Sequence, residues 1–250
     1  MFREARRQAV GVVVAGLVCV GGVACAGSGE QDGKASAEAV RSAEAAGRSA
    51  TPAALTGAQL KAAAFTDGES VGTYTASEYT LGAPHSDTYT AAPAVCQPLV
   101  SLAADVTAYR PKAEVGREVE LPGEMLGPTF AVQLRSYVGG DAARVMEDVR
   151  RAGKECADGF TEERAVAEGK YLKVEPVQPP AFGDEARAYH FTILDVKGKL
   201  KLHEYLTVVR SGSATLSFRG EITATKDIGG VPREILDAQW EKFETAARPR

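Results

Sequence analysis

The sequence predicts an α+β fold, a single domain whose mainly antiparallel sheet is flanked by helices. Two observations predict it. Three strand-like segments follow one another at residues 187–194, 202–210 and 214–219, separated only by Lys197-Gly198-Lys199 and Ser211-Gly212-Ser213. Turns that short join antiparallel strands, whereas a parallel crossover needs a dozen residues or more. The helical stripes fall before and after the strand runs instead of alternating strictly with them, which separates α+β from α/β.

The elements follow in order. Residues 56–65 predict a short helix capped by Thr56, with Leu60, Ala63 and Ala64 turned inward. Strand-like sequence carrying Val71, Tyr74, Tyr79 and Leu81 comes next. A second helix is expected to start around Cys96-Gln97-Pro98 and to place Leu99, Val100, Ala103 and Val106 on one face. Residues 115–121 and 129–138 read as strands; in the latter Phe130, Val132 and Leu134 alternate with Ala131, Gln133 and Arg135. The strongest helical stripe spans 141–156, with Asp141 as N-cap and Ala142, Val145, Met146, Val149, Ala152, Gly153 and Cys156 on the core side. In the strand triplet, Tyr189, Phe191 and Ile193 share one face, while Leu216 and Phe218 alternate with Thr215, Ser217 and Arg219. A closing helix begins near Pro232, a residue suited to a first helical turn, and presents Ile235, Leu236, Trp240 and Phe243.

The N-terminus reads as an address. Arg3, Arg6 and Arg7 precede an uncharged run, AVGVVVAGLVCVGGVA, from Ala9 to Ala24. A basic start, a short apolar stretch and small residues before a cut make a secretory signal. The run ends Gly22-Val23-Ala24-Cys25, which resembles the bacterial lipobox, with Gly22 where Leu is most frequent. We therefore expect residues 1–24 to be a signal peptide and Cys25 to receive a diacylglyceryl group, holding the protein on the outer face of the cytoplasmic membrane. Two acyl chains give stable attachment where one gives only a marginal one. A conventional cut after Ala24 or Ala26 is the alternative and would release a secreted protein. A membrane span is disfavoured, because the run falls short of about 20 residues and contains several glycines. Twin-arginine export has only Arg6-Arg7 in its favour.

Residues 25–50 are almost wholly Ala, Gly, Ser and charged residues, with Val40 the only larger aliphatic. Such a segment buries too little apolar surface to offset its chain entropy, and it is read as a flexible stalk. The domain then occupies 51–250, with its regular elements ending near Ala247. Over the whole chain 29 bases stand against 33 acids. Removing residues 1–24 leaves 26 bases and 32 acids, net −6. No basic stripe exists to neutralise phosphates, so nucleic acid is excluded as a partner.

The cysteines agree with export. Cys19 leaves with the signal and Cys25 takes the lipid, so Cys96 and Cys156 remain as an even pair in an oxidising compartment. We expect a disulfide between them; two separate buried thiols are the other reading. Two isolated Cys are too few for a metal site.

The element order, one Cys before a helix and another late in the central helix, and the run Phe182-Gly183-Asp184-Glu185-Ala186 before the strand triplet carry a resemblance. Over about 55–247 the chain resembles a family of lipoproteins from high-GC Gram-positive bacteria. That family is related in layout to the extracellular sensor domain of a mycobacterial serine/threonine kinase. The resemblance implies an antiparallel sheet flanked by helices, a cleft for ligands and no established catalysis. The kinase sensor domain has two disulfides where this chain can form one, and no kinase domain is present, so the resemblance does not carry a signalling role. Read from the residues alone, Gly183-Asp184-Glu185 is a turn entering a strand, with Asp184 bonding local backbone; its role is otherwise unassigned.

Tests for chemistry return little. Gly68-Glu69-Ser70-Val71-Gly72 matches G-x-S-x-G, but a hydrolase needs the Ser on a strand-to-helix turn, and here a helix precedes it and strand-like sequence follows. His85, His190 and His203 would be the bases available to Ser70. No H-E-x-x-H, Walker loop, dinucleotide fingerprint or EF-hand loop occurs. His190 and His203 fall on neighbouring strands, where a metal pair is conceivable; half-buried sheet positions or pH-sensitive surface groups are the expected reading, and no metal or cofactor is expected. Glu162-Glu163 and Asp184-Glu185 read as solvated acids. Tyr74, Tyr79, Tyr89 and Tyr109 read as packing and surface tyrosines, with a sugar or lipid cleft as the other option. The functional expectation is a membrane-anchored, non-enzymatic lipoprotein binding a small ligand or envelope component. The alternatives are a protein-binding or structural envelope module, and a serine hydrolase using Ser70.

Overall fold

The computed structural model describes residues 52–79, 89–100, 106–124, 127–164, 168–221 and 226–247. Cys25, the signal-like run, the stalk, Leu81, His85 and Ala103 lie outside the described residues.

The described residues form one α+β domain around an antiparallel sheet. Its elements are α1 (Gly57–Ala63), β1 (Glu69–Val71), β2 (Tyr74–Ser77), β3 (Thr90–Ala92), a 3₁₀ helix (Ala94–Leu99), β4 (Ala113–Glu120), β5 (Thr129–Ser136), α2 (Asp141–Glu155), β6 (Phe160–Glu163), β7 (Glu168–Val177), β8 (Glu185–Leu194), β9 (Lys201–Ser211), β10 (Ala214–Glu221) and α3 (Arg233–Ala247). The ten strands among the described residues run in the order β1-β2-β4-β5-β10-β9-β8-β7-β6-β3. The closing meander β8-β9-β10 sits at the centre, with β10 against β5.

Strand alternation sends side chains to two faces, and each face has its own core. On one, α1 and α3 cover Phe130, Val132, Leu134, Leu216, Phe218 and Val209. On the other, α2 and the 3₁₀ helix cover Tyr171, Tyr189, Phe191, Leu206 and Val208. Helix α1 starts in a capping box: the Thr56 amide donates to Gln59 Oε1 at 2.8 Å and the Gln59 amide to Thr56 Oγ1 at 3.3 Å. Its Leu60, Ala63 and Ala64 are buried. The Cys96–Cys156 disulfide joins the 3₁₀ helix to the end of α2, across a sequence separation of 60.

Four sequence expectations need correction. The helix expected to run on from Cys96-Gln97-Pro98 is a 3₁₀ helix that ends at Leu99, and Val100 is extended, with ψ 152°. Pro98 lacks the N–H that would carry an α-helix through this segment, so it makes two 3₁₀ turns and stops. Val106 still packs on the α2-side core. The N-cap of α2 is Gly140, at φ +85°, rather than Asp141. The left-handed turn belongs to glycine, and Asp141 becomes the first helical residue, 3.0 Å from Arg144. Strands β6 and β7 were not anticipated; β7 carries a bulge between Tyr171 and Lys173 that breaks the period of two. Finally, Glu162 is not solvated but fully buried, held by Arg164 Nε at 2.7 Å.

Candidate functional site

The sheet face under α2 is apolar on β8 and β9 but polar on β5 and β10. The register sets Arg135 opposite Thr215 and Gln133 opposite Ser217 across β5 and β10. On its other side β10 sets Ser217 opposite Val208 and Arg219 opposite Leu206. Helix α2 lies over these rows through Val145 and Val149, and Val100 closes one side. Between them is a cavity of about 50 Å³. Its walls are mostly aliphatic, with Tyr137 among them; Thr107, Gln133, Arg135, Thr215, Ser217 and Arg219 supply the polar lining. A space of that size takes a few waters or one small polar group.

The two arginines of this lining differ in their partners. Arg219 donates from Nη1 to Glu204 Oε2 at 2.9 Å and from Nη2 to the carbonyls of Leu99 and Val100 at 2.6 and 3.0 Å. The Tyr171 hydroxyl lies 3.2 Å from Glu204 Oε2 and 3.3 Å from Glu162 Oε2. Arg164, Glu162, Tyr171, Glu204 and Arg219 thus form one chain, with two carboxylates bridged by the neutral tyrosine and an arginine at each end, Arg164 reaching the surface. Burial, and then the Glu204 carboxylate, push the Tyr171 hydroxyl far above its ordinary range, so it stays a neutral donor. The network also fixes the carbonyls at the end of the 3₁₀ helix, and with them one wall of the cavity.

Arg135 has much less. Its side chain is 8% exposed, and its Nε donates to Glu114 Oε2 at 3.2 Å, on a side chain that is 40% exposed. Its Nη2 is buried without a hydrogen-bond partner among the described residues. Neighbouring Tyr137 is raised by burial, against the Arg135 charge and hydrogen bonding with Thr215 and Arg135. A buried guanidinium donor left unmade costs more than a neutral one.

The remaining predicted residues fall elsewhere. Ser70 is an exposed residue of β1, paired with Thr75 in a hairpin and not at a strand-to-helix elbow; no hydrogen bond joins it to a histidine among the described residues. Tyr74 packs edge-on to Phe130 on the α1/α3 face, whereas Tyr89 and Tyr109 sit under Arg164 and Arg144 on the α2 side, so the tyrosines do not line one cleft. Gly183-Asp184-Glu185 is a docking turn. Gly183 has φ +61°, and a Cβ there would lie 2.3 Å from the Arg210 carbonyl oxygen. Asp184 Oδ2 accepts from the Gly212 amide and from Arg210 Nη1, both at 2.8 Å. These partners are 28 and 26 residues away, so the bonding is between strands instead of local. Phe182 stacks on Trp240 of α3 at 5.2 Å, and Glu185 pairs with Arg187 at 2.9 Å. His190 and His203 do meet, on the sheet face opposite the cavity.

Sequence reasoning missed the cavity because alternation on β5 and β10 reads equally as an outward polar face. The available signal was the pair of arginines, Arg135 and Arg219, in the interior strands of one sheet.

An antiparallel α+β domain with a polar-floored cavity under one helix is the class that fold and site define. No protein-family model matches the chain. No curated protein matches it in sequence. Among solved structures it is similar to the extracellular domain of PknH from Mycobacterium tuberculosis, with 12% identity and a TM-score of 0.49 over 78% of this chain and 97% of that one. It is also similar to an uncharacterized protein, the Rv0999 ortholog of Mycobacterium smegmatis, with 17% identity and a TM-score of 0.34 over 79% and 97%.

Proposed function

We propose that this chain is an exported lipoprotein, anchored through Cys25 on the outer face of the cytoplasmic membrane, whose domain binds a small anionic ligand or envelope component without transforming it. The anchor rests on the lipobox-like run ending at Cys25. Export is further supported by the disulfide, which belongs to an oxidising compartment. Binding rests on one observation, the unpartnered Nη2 of Arg135 on a residue lining an aliphatic-walled cavity. Buried donors without partners are rare enough that each calls for an explanation. The site's polar groups are guanidinium, amide and hydroxyl, which orient a carboxylate or phosphate oxygen but supply no general base.

Fractionation of Cys25→Ala in a native-type host is expected to move the protein from membrane to medium; retention in the membrane would overturn the anchor. The protein recovered from the medium is then examined by native mass spectrometry. An added mass that disappears on denaturation, and is missing from Arg135→Met, supports the cavity as the binding site. A bare chain would turn the reading to a module that binds other envelope proteins.

A further inference from the structure

We infer that the face of the sheet opposite the cavity carries a binding site for a divalent transition-metal ion, formed by His190, His203 and Asp227. The antiparallel register pairs His190 with Tyr205 and Thr192 with His203. His190 and His203 are therefore diagonal neighbours on one face, within reach of each other. Their rings stack at 5.1 Å and share a hydrogen bond between His190 Nε2 and His203 Nδ1 at 2.9 Å, whose proton a metal ion would displace. Asp227, from the connection between β10 and α3, brings a carboxylate oxygen within 4.8 Å of both ligand nitrogens.

The spacing suits coordination. With metal–nitrogen bonds of about 2.05 Å, nitrogens 2.9 Å apart subtend about 90° at the metal, a cis pair of an octahedral or square-planar ion. Opening them by about 0.4 Å gives the tetrahedral angle of zinc. Two imidazoles and one carboxylate favour zinc, nickel, cobalt or copper over calcium or magnesium, and leave positions open for water or a ligand.

The surroundings hold the three groups in place. Tyr205 donates its hydroxyl to Asp227 Oδ1, and the Gly229 amide donates to the same oxygen at 2.7 Å. Tyr205 also stacks on His190 at 4.9 Å. Glu175 Oε2 lies 3.8 Å from His190 Nδ1, beyond hydrogen-bond reach, and its charge favours the N–H that the imidazole must carry on that nitrogen once Nε2 gives its lone pair to a metal. Glu175 is itself paired with Lys173 at 2.6 Å. The histidines come from one hairpin and the third ligand from a connection 24 residues beyond His203, so no sequence motif announces the set.

The test uses tag-free Cys25→Ala protein, titrated with Zn²⁺ by calorimetry and with Co²⁺ by visible absorption. One Zn²⁺ per chain at roughly micromolar Kd or tighter is expected, with d–d bands for Co²⁺. His203→Gln and Asp227→Asn should each weaken binding tenfold or more while keeping the far-UV circular dichroism of the parent. Arg135→Met should leave Zn²⁺ affinity unchanged, which separates this site from the anion cavity. Absence of binding at about 100 µM Zn²⁺, or equal affinity in parent, His203→Gln and Asp227→Asn, would overturn the assignment.

Discussion

Arg135 stands directly opposite Thr215 across the β5–β10 pairing, and the two residues are only 6% and 4% exposed beneath α2. An ionised side chain there, matched by one half-exposed carboxylate and leaving a buried donor unmade, is a cost to the fold. Under the proposed function, that cost is the cost of recognition. Arg135→Met removes the charge and keeps most of the volume, so unfolding in urea is expected to show a stability unchanged or raised by up to ~2 kcal/mol. A loss of stability of that size would mean that the guanidinium is structural.

The Cys96–Cys156 bond closes a loop spanning 60 residues and clamps the 3₁₀ helix to α2. On the loop-entropy model such a cross-link is worth about 4 kcal/mol. Reduction, or the double change Cys96→Ala with Cys156→Ala, should lower the thermal midpoint substantially. An unchanged midpoint would show that the covered face holds without it.

Gly183 is the position where backbone geometry leaves no choice. Its positive φ and the 2.3 Å approach to the Arg210 carbonyl both exclude a side chain. Gly183→Ala should cost at least ~2 kcal/mol in urea unfolding, and Asp184→Ala about 1 kcal/mol through the lost bonds to Gly212 and Arg210. If both variants unfold like the parent, the turn is not what seats β8 on the β9–β10 hairpin.

Glu69 ties β1 to α3 through Lys242 at 2.6 Å. Burial pushes its carboxyl up, but Lys242 and the two Thr66 donors, each at 2.7 Å, outweigh burial and hold it below its ordinary value. A depressed folded pKa adds stability that is present above the ordinary carboxylate value of about 4.3 and is lost as pH falls through the folded value. Glu69→Gln should therefore cost about 0.5–1 kcal/mol near neutrality and nothing once the pH has fallen below the folded value and the parent carboxyl is protonated. A difference that persists unchanged under acid would contradict the tether.

The sequence alone determined a great deal here. Period-two alternation and short Gly turns require the antiparallel meander, because a two- or three-residue turn leaves no other pairing. The stripe of Val145, Met146, Val149 and Ala152 requires α2, and Thr56 with Gln59 requires the start of α1. These are local constraints, written within a few residues. Partnership across the fold was decided only in three dimensions. Alternation says that Gln133, Arg135, Thr215 and Ser217 share a face but not whether water or a helix covers it. Glu162 looks solvated until Arg164 beside it and Tyr171 of β7 hold it, with Glu204 of β9 and Arg219 of β10 beyond Tyr171. His190 and His203 become neighbours through register, and Asp227 joins them by the return path of the chain. Burial and charge pairing depend on which surfaces meet, and that is fixed by packing between elements far apart in sequence.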